Sequence, residues 1–259
     1  MATPKALVLR AAGTNCDRET EFALEQAGFD ACREHVFSLM DNPQRLREFQ
    51  FLVFPGGFSY GDDIASGKIL ANQLLHRLSD SLNEFVQAGK LVLGICNGFQ
   101  IMIKSGLLPW GKVQVDEAHR DATLAWNDGG RFEDRWVHLR SDSDKCVFLP
   151  KGEIIALPMA HGEGKFVPAQ PAILDTMKAN DQVALRYVDA AGKPGPYPVN
   201  PNGSIDDIAG VCDPTGRIMG LMPHPERFVD ITQHPQWTRG EVKRADGRMF
   251  FERAAKYFE

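Results

Sequence analysis

Of the five cysteines, at positions 16, 32, 96, 146 and 212, one stands where a sulfur would react. Leu91-Val-Leu runs apolar into Gly94-Ile95-Cys96-Asn97-Gly98, and a helical pattern follows from Phe99. This is the sulfur counterpart of the G-x-S-x-G elbow, a sharp strand-to-helix turn that presents a nucleophile at the top of a sheet. A helix N-terminus directly behind the sulfur favours an anion there and offers N–H groups to a developing oxyanion. A free cysteine by itself reads as small hydrophobic core. Strand, flanking glycines and helix together single out Cys96.

A thiol nucleophile needs a base, and the base needs an orienting group. Met222-Pro-His-Pro-Glu-Arg227 offers both in His224 and Glu226, directly after an apolar run at residues 218–222. The prolines at 223 and 225 stiffen the segment. The spacing lets the carboxylate hold one imidazole nitrogen while the other faces the sulfur. An isolated H-x-E is an ordinary polar loop, and its weight here comes from the elbow. A third element, Pro55-Gly-Gly-Phe-Ser-Tyr-Gly-Asp62, follows another apolar run. Paired glycines let backbone N–H groups approach a ligand closely, so this loop suits an oxyanion hole or a plain turn. It lacks the G-x-x-x-x-G-K-[ST] order of a phosphate loop.

These three segments need strands to carry them. Apolar runs at 6–9, 51–54 and 91–95 read as buried strands. Helical patterns lie between and after them, at 18–27, 69–87 and 99–104. Strands spaced by helices predict a mainly parallel sheet covered on both faces. The second half is less regular, with strands expected at 136–139, 154–157, 183–187 and 218–222 and a closing helix at 249–258. Residues 189–205, rich in Gly and Pro, read as a long ordered loop or lid. No repeat or low-complexity tract interrupts the chain, and one domain over 1–259 is expected.

Composition narrows the function. The 259 residues are 43% hydrophobic and 24% charged, with a formal charge of -5. That balance fits a soluble globular protein and gives no basic field for nucleic acid. No segment approaches the roughly 20 apolar residues of a membrane helix. The start reads as a strand and not as a leader, and the cysteines lack paired spacing, so reduced thiols in the cytoplasm are expected. His35, His76, His119, His138 and His234 show no metal-ligand spacing, and no metal is expected.

The elbow GICNGFQI, the PGG loop and the late PHPER together resemble class I (triad-type) glutamine amidotransferases. More narrowly, PGGFSYGDD, GICNGFQI, ALPMAHGEGKF, the NPNGS–IAG stretch and MPHPER are similar to one purine-biosynthetic branch, the glutaminase subunits of phosphoribosylformylglycinamidine synthase. The likeness runs from Gly13-Thr-Asn-Cys-Asp17 to Arg227. It implies a flavodoxin-like three-layer α/β sandwich. It implies Cys96 as nucleophile, His224 as general base and Glu226 as the third triad member. It assigns the oxyanion hole to the N–H groups of Gly57 and Asn97, and contact with bound glutamine to Gln100. Asn127, Arg131 and Phe132 match a segment near that pocket, where a turn role fits equally well. His161, in His-Gly-Glu-Gly, would shape the pocket or the partner face, and is a rival base.

The resemblance also implies that ATP and Mg2+ belong to a large synthetase subunit, with a small third subunit in the complex, and that this chain carries no cofactor. Two departures bear on the partner surface. Ser66-Gly67-Lys68 stands where many relatives have Arg-Ala-Gly-Ala, and extra residues occur near 113–123 and after Arg227. Cys16 lies in the Asn-Cys-Asp turn with no elbow or base in view, and the other three cysteines read as core or near-surface thiols. Three alternatives stay open: a γ-glutamyl hydrolase-like cysteine hydrolase, a glutaminase subunit of another pathway, and a silent regulatory subunit keeping the fold.

Overall fold

The computed structural model describes residues 3–113 and 120–259. His119 and part of the additional stretch near 113–123 lie outside these residues.

Two apolar runs become strands with the predicted bounds, β3 (Phe51–Phe54) and β4 (Leu91–Ile95). Every residue of both is buried, as strands covered on both faces must be. They sit at the centre of one half of a nine-stranded sheet. In that half β2 (Asp30–His35), β1 (Lys5–Arg10), β3, β4 and β11 (Ile218–Leu221) lie side by side, every pairing parallel. The sheet then continues through β10 (Ile208–Cys212), β9 (Val183–Val188), β6 (Glu133–Ser141) and β7 (Ile154–His161), every pairing antiparallel. A separate two-stranded ribbon joins β5 (Ala122–Trp126) to β8 (Glu163–Pro168). The expected α/β class, with a parallel sheet at its heart, is what the chain forms.

Helices close the faces in two groups. One contains α1 (Asp17–Gln26), which packs on β1 and β2 and meets the late helix α7 (Arg248–Lys256). The other contains α3 (Lys68–Arg77), α4 (Ser79–Gln87) and α5 (Asn97–Lys104), with α5 lying on β3, β4 and β11. The chain steps from β1 out to β2 and then back past β1 to β3, so right-handed crossovers place the groups on opposite faces. The stretch expected as a single helix at 69–87 is two helices, broken at Leu78, whose φ of -130° leaves the helical region. Two further helices, α2 (Val36–Asp41) and α6 (Pro171–Ala179), complete the set among the described residues. No helix among these residues is long and apolar enough to cross a membrane.

Residues 189–205 form the ordered loop the sequence suggested, and they are tied inward. Asn202 is fully buried, donating from Nδ2 to the Gly164 carbonyl at 2.9 Å, and its Oδ1 accepts from the Ser204 N–H. Asn200 Nδ2 donates to the Ser204 carbonyl and to Asp207 Oδ1. Proline and glycine here shape a fixed turn system against β8.

Candidate active site

Cys96 stands between β4 and α5 with φ 51° and ψ -105°, a region L-residues avoid. The strain is held by tight packing around it. A Cβ on Gly98 would stand 1.9 Å from the Phe54 carbonyl oxygen, so only glycine lets α5 approach β3 this closely. The Cys96 N–H donates to the Leu221 carbonyl at 2.8 Å, tying the elbow to the end of the adjacent parallel strand. That strand, β11, leads straight into His224. Nucleophile and base candidates therefore meet because β4 and β11 are neighbours running the same way.

His224 is 2% exposed and Glu226 0%. Nδ1 of the imidazole lies 2.6 Å from Glu226 Oε1, which makes Nδ1 the donor when the carboxylate is ionised. The other nitrogen, Nε2, is buried with no hydrogen-bond partner among the described residues. The Cys96 thiol donates to the Ala160 carbonyl at 3.6 Å, leaving Nε2 open. Burial by itself would lower the proton affinity of His224. The Glu226 carboxylate and then the nearby Cys96 sulfur outweigh it, and the imidazole titrates well above its ordinary range. The site thus favours an imidazolium beside the sulfur.

The far end of the sheet closes the site. The His224 N–H donates to the Pro158 carbonyl at 2.8 Å, and Ala160, two residues on, supplies the oxygen facing Cys96. The antiparallel half must bend back over the C-terminal ends of β4 and β11 to do this. His161 follows on β7. Its Nδ1 lies 3.1 Å from Asn127 Oδ1, and Asn127 Nδ2 donates to the carbonyls of His161 and Arg131. With Nδ2 a donor, Oδ1 must accept, so His161 carries its proton on Nδ1. Burial, then the charge on His224, pushes the His161 imidazole down to about 3. A group that weakly basic is poorly matched to taking a thiol proton near neutrality. His224 is the better base of the two.

The PGG loop lies against the first βα turn. The Cys16 N–H donates to the Gly56 carbonyl at 3.3 Å, and the Phe58 N–H donates to the Gly13 carbonyl at 3.0 Å. Gly57 takes φ 139°, a conformation closed to other residues at low cost. On the helix side, Asn97 Nδ2 donates to Asp62 Oδ1 at 3.1 Å and to Gln100 Oε1 at 2.9 Å, and Asn97 Oδ1 accepts from the Ser59 N–H. Gln100 Nε2 donates to the Glu163 carbonyl at 2.5 Å. Both ends of the Gln100 amide are engaged within the protein, so it braces the wall. Arg131 and Phe132 instead line an open groove of about 560 Å³, with Phe58, Ser66, Lys104 and Glu163. Phe132 stacks on Phe58 at 6.4 Å between ring centres.

Sequence reasoning gave no site role to Cys16, Lys104, Glu163 or Arg227. Cys16, expected to stand apart, is buried with its sulfur within 4.8 Å of a His224 ring nitrogen and a Glu226 oxygen. It sits just before α1, and no local spacing foretells a contact across some two hundred residues. Arg227 stood in the quoted MPHPER run, yet its contact with that sulfur is equally nonlocal. Lys104 carried no signal, and Glu163 stood in the quoted HGEG run without a role of its own; the two pair at 3.4 Å at the groove.

Residues 3–258 match the family of CobB/CobQ-like glutamine amidotransferase domains. The phosphoribosylformylglycinamidine synthase subunit PurQ of Dehalococcoides mccartyi is 44% identical over 99% of this chain and 98% of its own length. The protein of the same name from Methanococcus maripaludis is 40% identical, over 98% of this chain and 97% of its own. Among solved structures, that of PurLQS from Thermotoga maritima is similar over 100% of both chains, with a TM-score of 0.75 and 32% identity. An elbow cysteine backed by a buried His–Glu pair, on a fold and sequence shared end to end, leaves one assignment: the chain belongs to the glutamine amidotransferase family.

Proposed function

We propose that this chain is the glutaminase subunit of a phosphoribosylformylglycinamidine synthase. It hydrolyses glutamine to glutamate and ammonia and passes the ammonia to an ATP-dependent synthetase subunit, which aminates formylglycinamide ribonucleotide in purine biosynthesis. The observation that carries this is the strained Cys96 elbow beside the buried His224–Glu226 pair, in a chain 44% identical over 99% of its length to a subunit of that name.

In the proposed reaction the Cys96 thiolate attacks the side-chain amide carbon of glutamine. The N–H groups of Gly57 and Asn97 hold the tetrahedral oxygen. The His224 imidazolium gives its proton to the leaving nitrogen, and ammonia departs as the γ-glutamyl thioester forms. Water then attacks the thioester, losing a proton to neutral His224, which returns it to the sulfur or keeps it as the ion pair re-forms. Glu226 holds the ring in place through Nδ1. Gln100 and Asn127 fix the walls of the pocket, while Arg131 and Phe132 line its mouth. Thiol-based amide hydrolysis needs no cofactor, so ATP and Mg2+ fall to the synthetase subunit, and a small third subunit completes the assembly. Compartment follows the pathway, in the cytoplasm.

The test is reconstitution with the synthetase subunits. Glutamate release should match aminated ribonucleotide one for one when ATP, Mg2+ and the ribonucleotide are present. Glutamate release that never couples to this acceptor, while coupling to another, would place the subunit in a different pathway.

A further inference from the structure

A second buried group lies against the His224–Glu226 pair, and the amide chemistry leaves it unused. Cys16 is 1% exposed, and its sulfur, a His224 ring nitrogen and a Glu226 oxygen all lie within 4.8 Å of one another. The sulfur accepts a hydrogen bond from Arg227 Nη2 at 3.0 Å, and the thiol donates to Asn15 Oδ1 at 3.3 Å. Space for this arrangement comes from Gly56. A Cβ there would stand 2.7 Å from His224 Cε1 and 3.1 Å from the Cys16 sulfur. The imidazole is thus confined between the Gly56 backbone, the Cys16 sulfur and the Glu226 carboxylate.

Cysteine, histidine and glutamate are also metal ligands. Here the guanidinium of Arg227 already bonds to the sulfur and supplies the positive charge that a metal would bring. The set reads as a charge network. Its members facing His224 are Glu226, Cys96, Cys16 and His161, with Arg227 beyond the Cys16 sulfur and Glu19 3.7 Å from the Arg227 guanidinium.

Taking His224 as the proton-transfer group of the glutaminase, we propose that Cys16 and Arg227 are positioning residues for it. Arg227 fixes the sulfur, and the sulfur fixes the imidazole, so that Nδ1 stays on Glu226 and Nε2 stays open to the Cys96 side. Geometry makes the claim, since a displacement near 1 Å at a reacting group costs heavily in rate. The electrostatics agree. The Cys16 sulfur is among the groups that raise the proton affinity of His224, whereas a nearby guanidinium opposes a second positive charge.

The two residues therefore push the imidazolium in opposite directions, which a simple packing defect would not do. The experiment compares Cys16→Ala, Cys16→Ser and Arg227→Gln in the complex with the synthetase, reading glutamine-dependent glutamate release against pH. Cys16→Ala should lower kcat roughly 10-fold with KM within about twofold. Its alkaline limb, where the imidazolium is lost, should move to lower pH. Cys16→Ser keeps an acceptor for Arg227 and should recover most of kcat. Arg227→Gln should move the alkaline limb to higher pH. Ammonia-dependent synthesis should be unchanged in all three. Wild-type kcat with an unmoved limb in Cys16→Ala would overturn the proposal, as would both limbs moving the same way. Should Cys16→Ala not fold, Arg227→Gln decides alone, because that side chain is 37% exposed, and an unmoved limb there overturns it. A Cys96→Ala complex that still used glutamine would instead remove the reading on which the proposal rests.

Discussion

The two halves of the large sheet do different work. In the parallel half, the inner strands β3, β4 and β11 are buried along their whole length, and their C-terminal loops place the PGG loop, the elbow and the His-Pro-Glu segment side by side. In the antiparallel half, β7 alternates between buried and more exposed residues, and its C-terminal part brings the Pro158 and Ala160 carbonyls back over that edge. One half presents the reacting groups, and the other encloses them. In the parallel half, α5 presses on the strands where it crosses them, and there is no room for a Cβ at Gly94 or Gly98. The antiparallel half is sensitive through its buried polar groups, Asn127, His161 and Asn202 among them.

If that division is right, loss of a reacting group from the parallel half should have the largest effect. In the complex, His224→Ala should cut glutaminase kcat by about 10²–10⁴-fold, the span of general acid–base catalysis. Glu226→Ala should cost less, because the carboxylate orients and stabilises the imidazole without transferring a proton to substrate. Steady-state glutamate release by both variants checks this. A Glu226 variant worse than the His224 variant reverses the roles, and an active His224 variant turns attention to His161 in the other half.

Added volume comes next. Gly98→Ala forces a Cβ to within 1.9 Å of the Phe54 carbonyl oxygen, so it should destabilise by about 1–3 kcal/mol or more. Gly129→Ala, in the loop joining β5 to β6, meets nothing nearer than 3.6 Å and should stay within about 0.5 kcal/mol. Denaturant unfolding of both variants compares the tight helix–strand crossing with an open loop, and equal losses would contradict the packing read at Gly98.

The expected contrast follows what the sequence could reveal. Runs such as Phe-Leu-Val-Phe and Leu-Val-Leu-Gly-Ile, too short for a helix and closed by glycine or proline, read as doubly buried strands, so β3 and β4 were legible to the residue. β2 was not, because Asp-Ala-Cys-Arg-Glu-His is a charged edge strand whose identity comes from pairing with β1. The ribbon of β5 and β8 was missed for the same reason, each strand being defined by its partner. The elbow and the His-x-Glu segment carry their chemistry in local spacing. Cys16 does not, since its contact with His224 arises only once α1 and the PGG loop have packed.

An effect confined to acid should single out the enclosing half. His161 is held neutral in the fold, titrating at about 3, while an unfolded histidine takes a proton near 6.5. Between these values the unfolded chain binds more protons, so stability falls as pH drops from about 6.5 toward 3. His161→Gln removes that linkage and should gain roughly 2–3 kcal/mol relative to the parent between pH 6.5 and 4.5. His224 has the opposite sign. Its raised affinity adds stability that is present below about 6.5 and lost as pH rises through its folded value. Urea unfolding across pH reads both, and a His161→Gln difference independent of pH would contradict the neutral, buried assignment.

In the proposed mechanism Cys96, alone among the five cysteines, attacks glutamine. The most direct measurement treats the complex with a glutamine analogue carrying an electrophile at the amide position, then maps the adduct by peptide mass. One adduct per chain is expected, on the peptide containing Cys96, formed in step with loss of glutamine-dependent activity and prevented by glutamine. An adduct on Cys16, or inactivation with Cys96 unmodified, would contradict it.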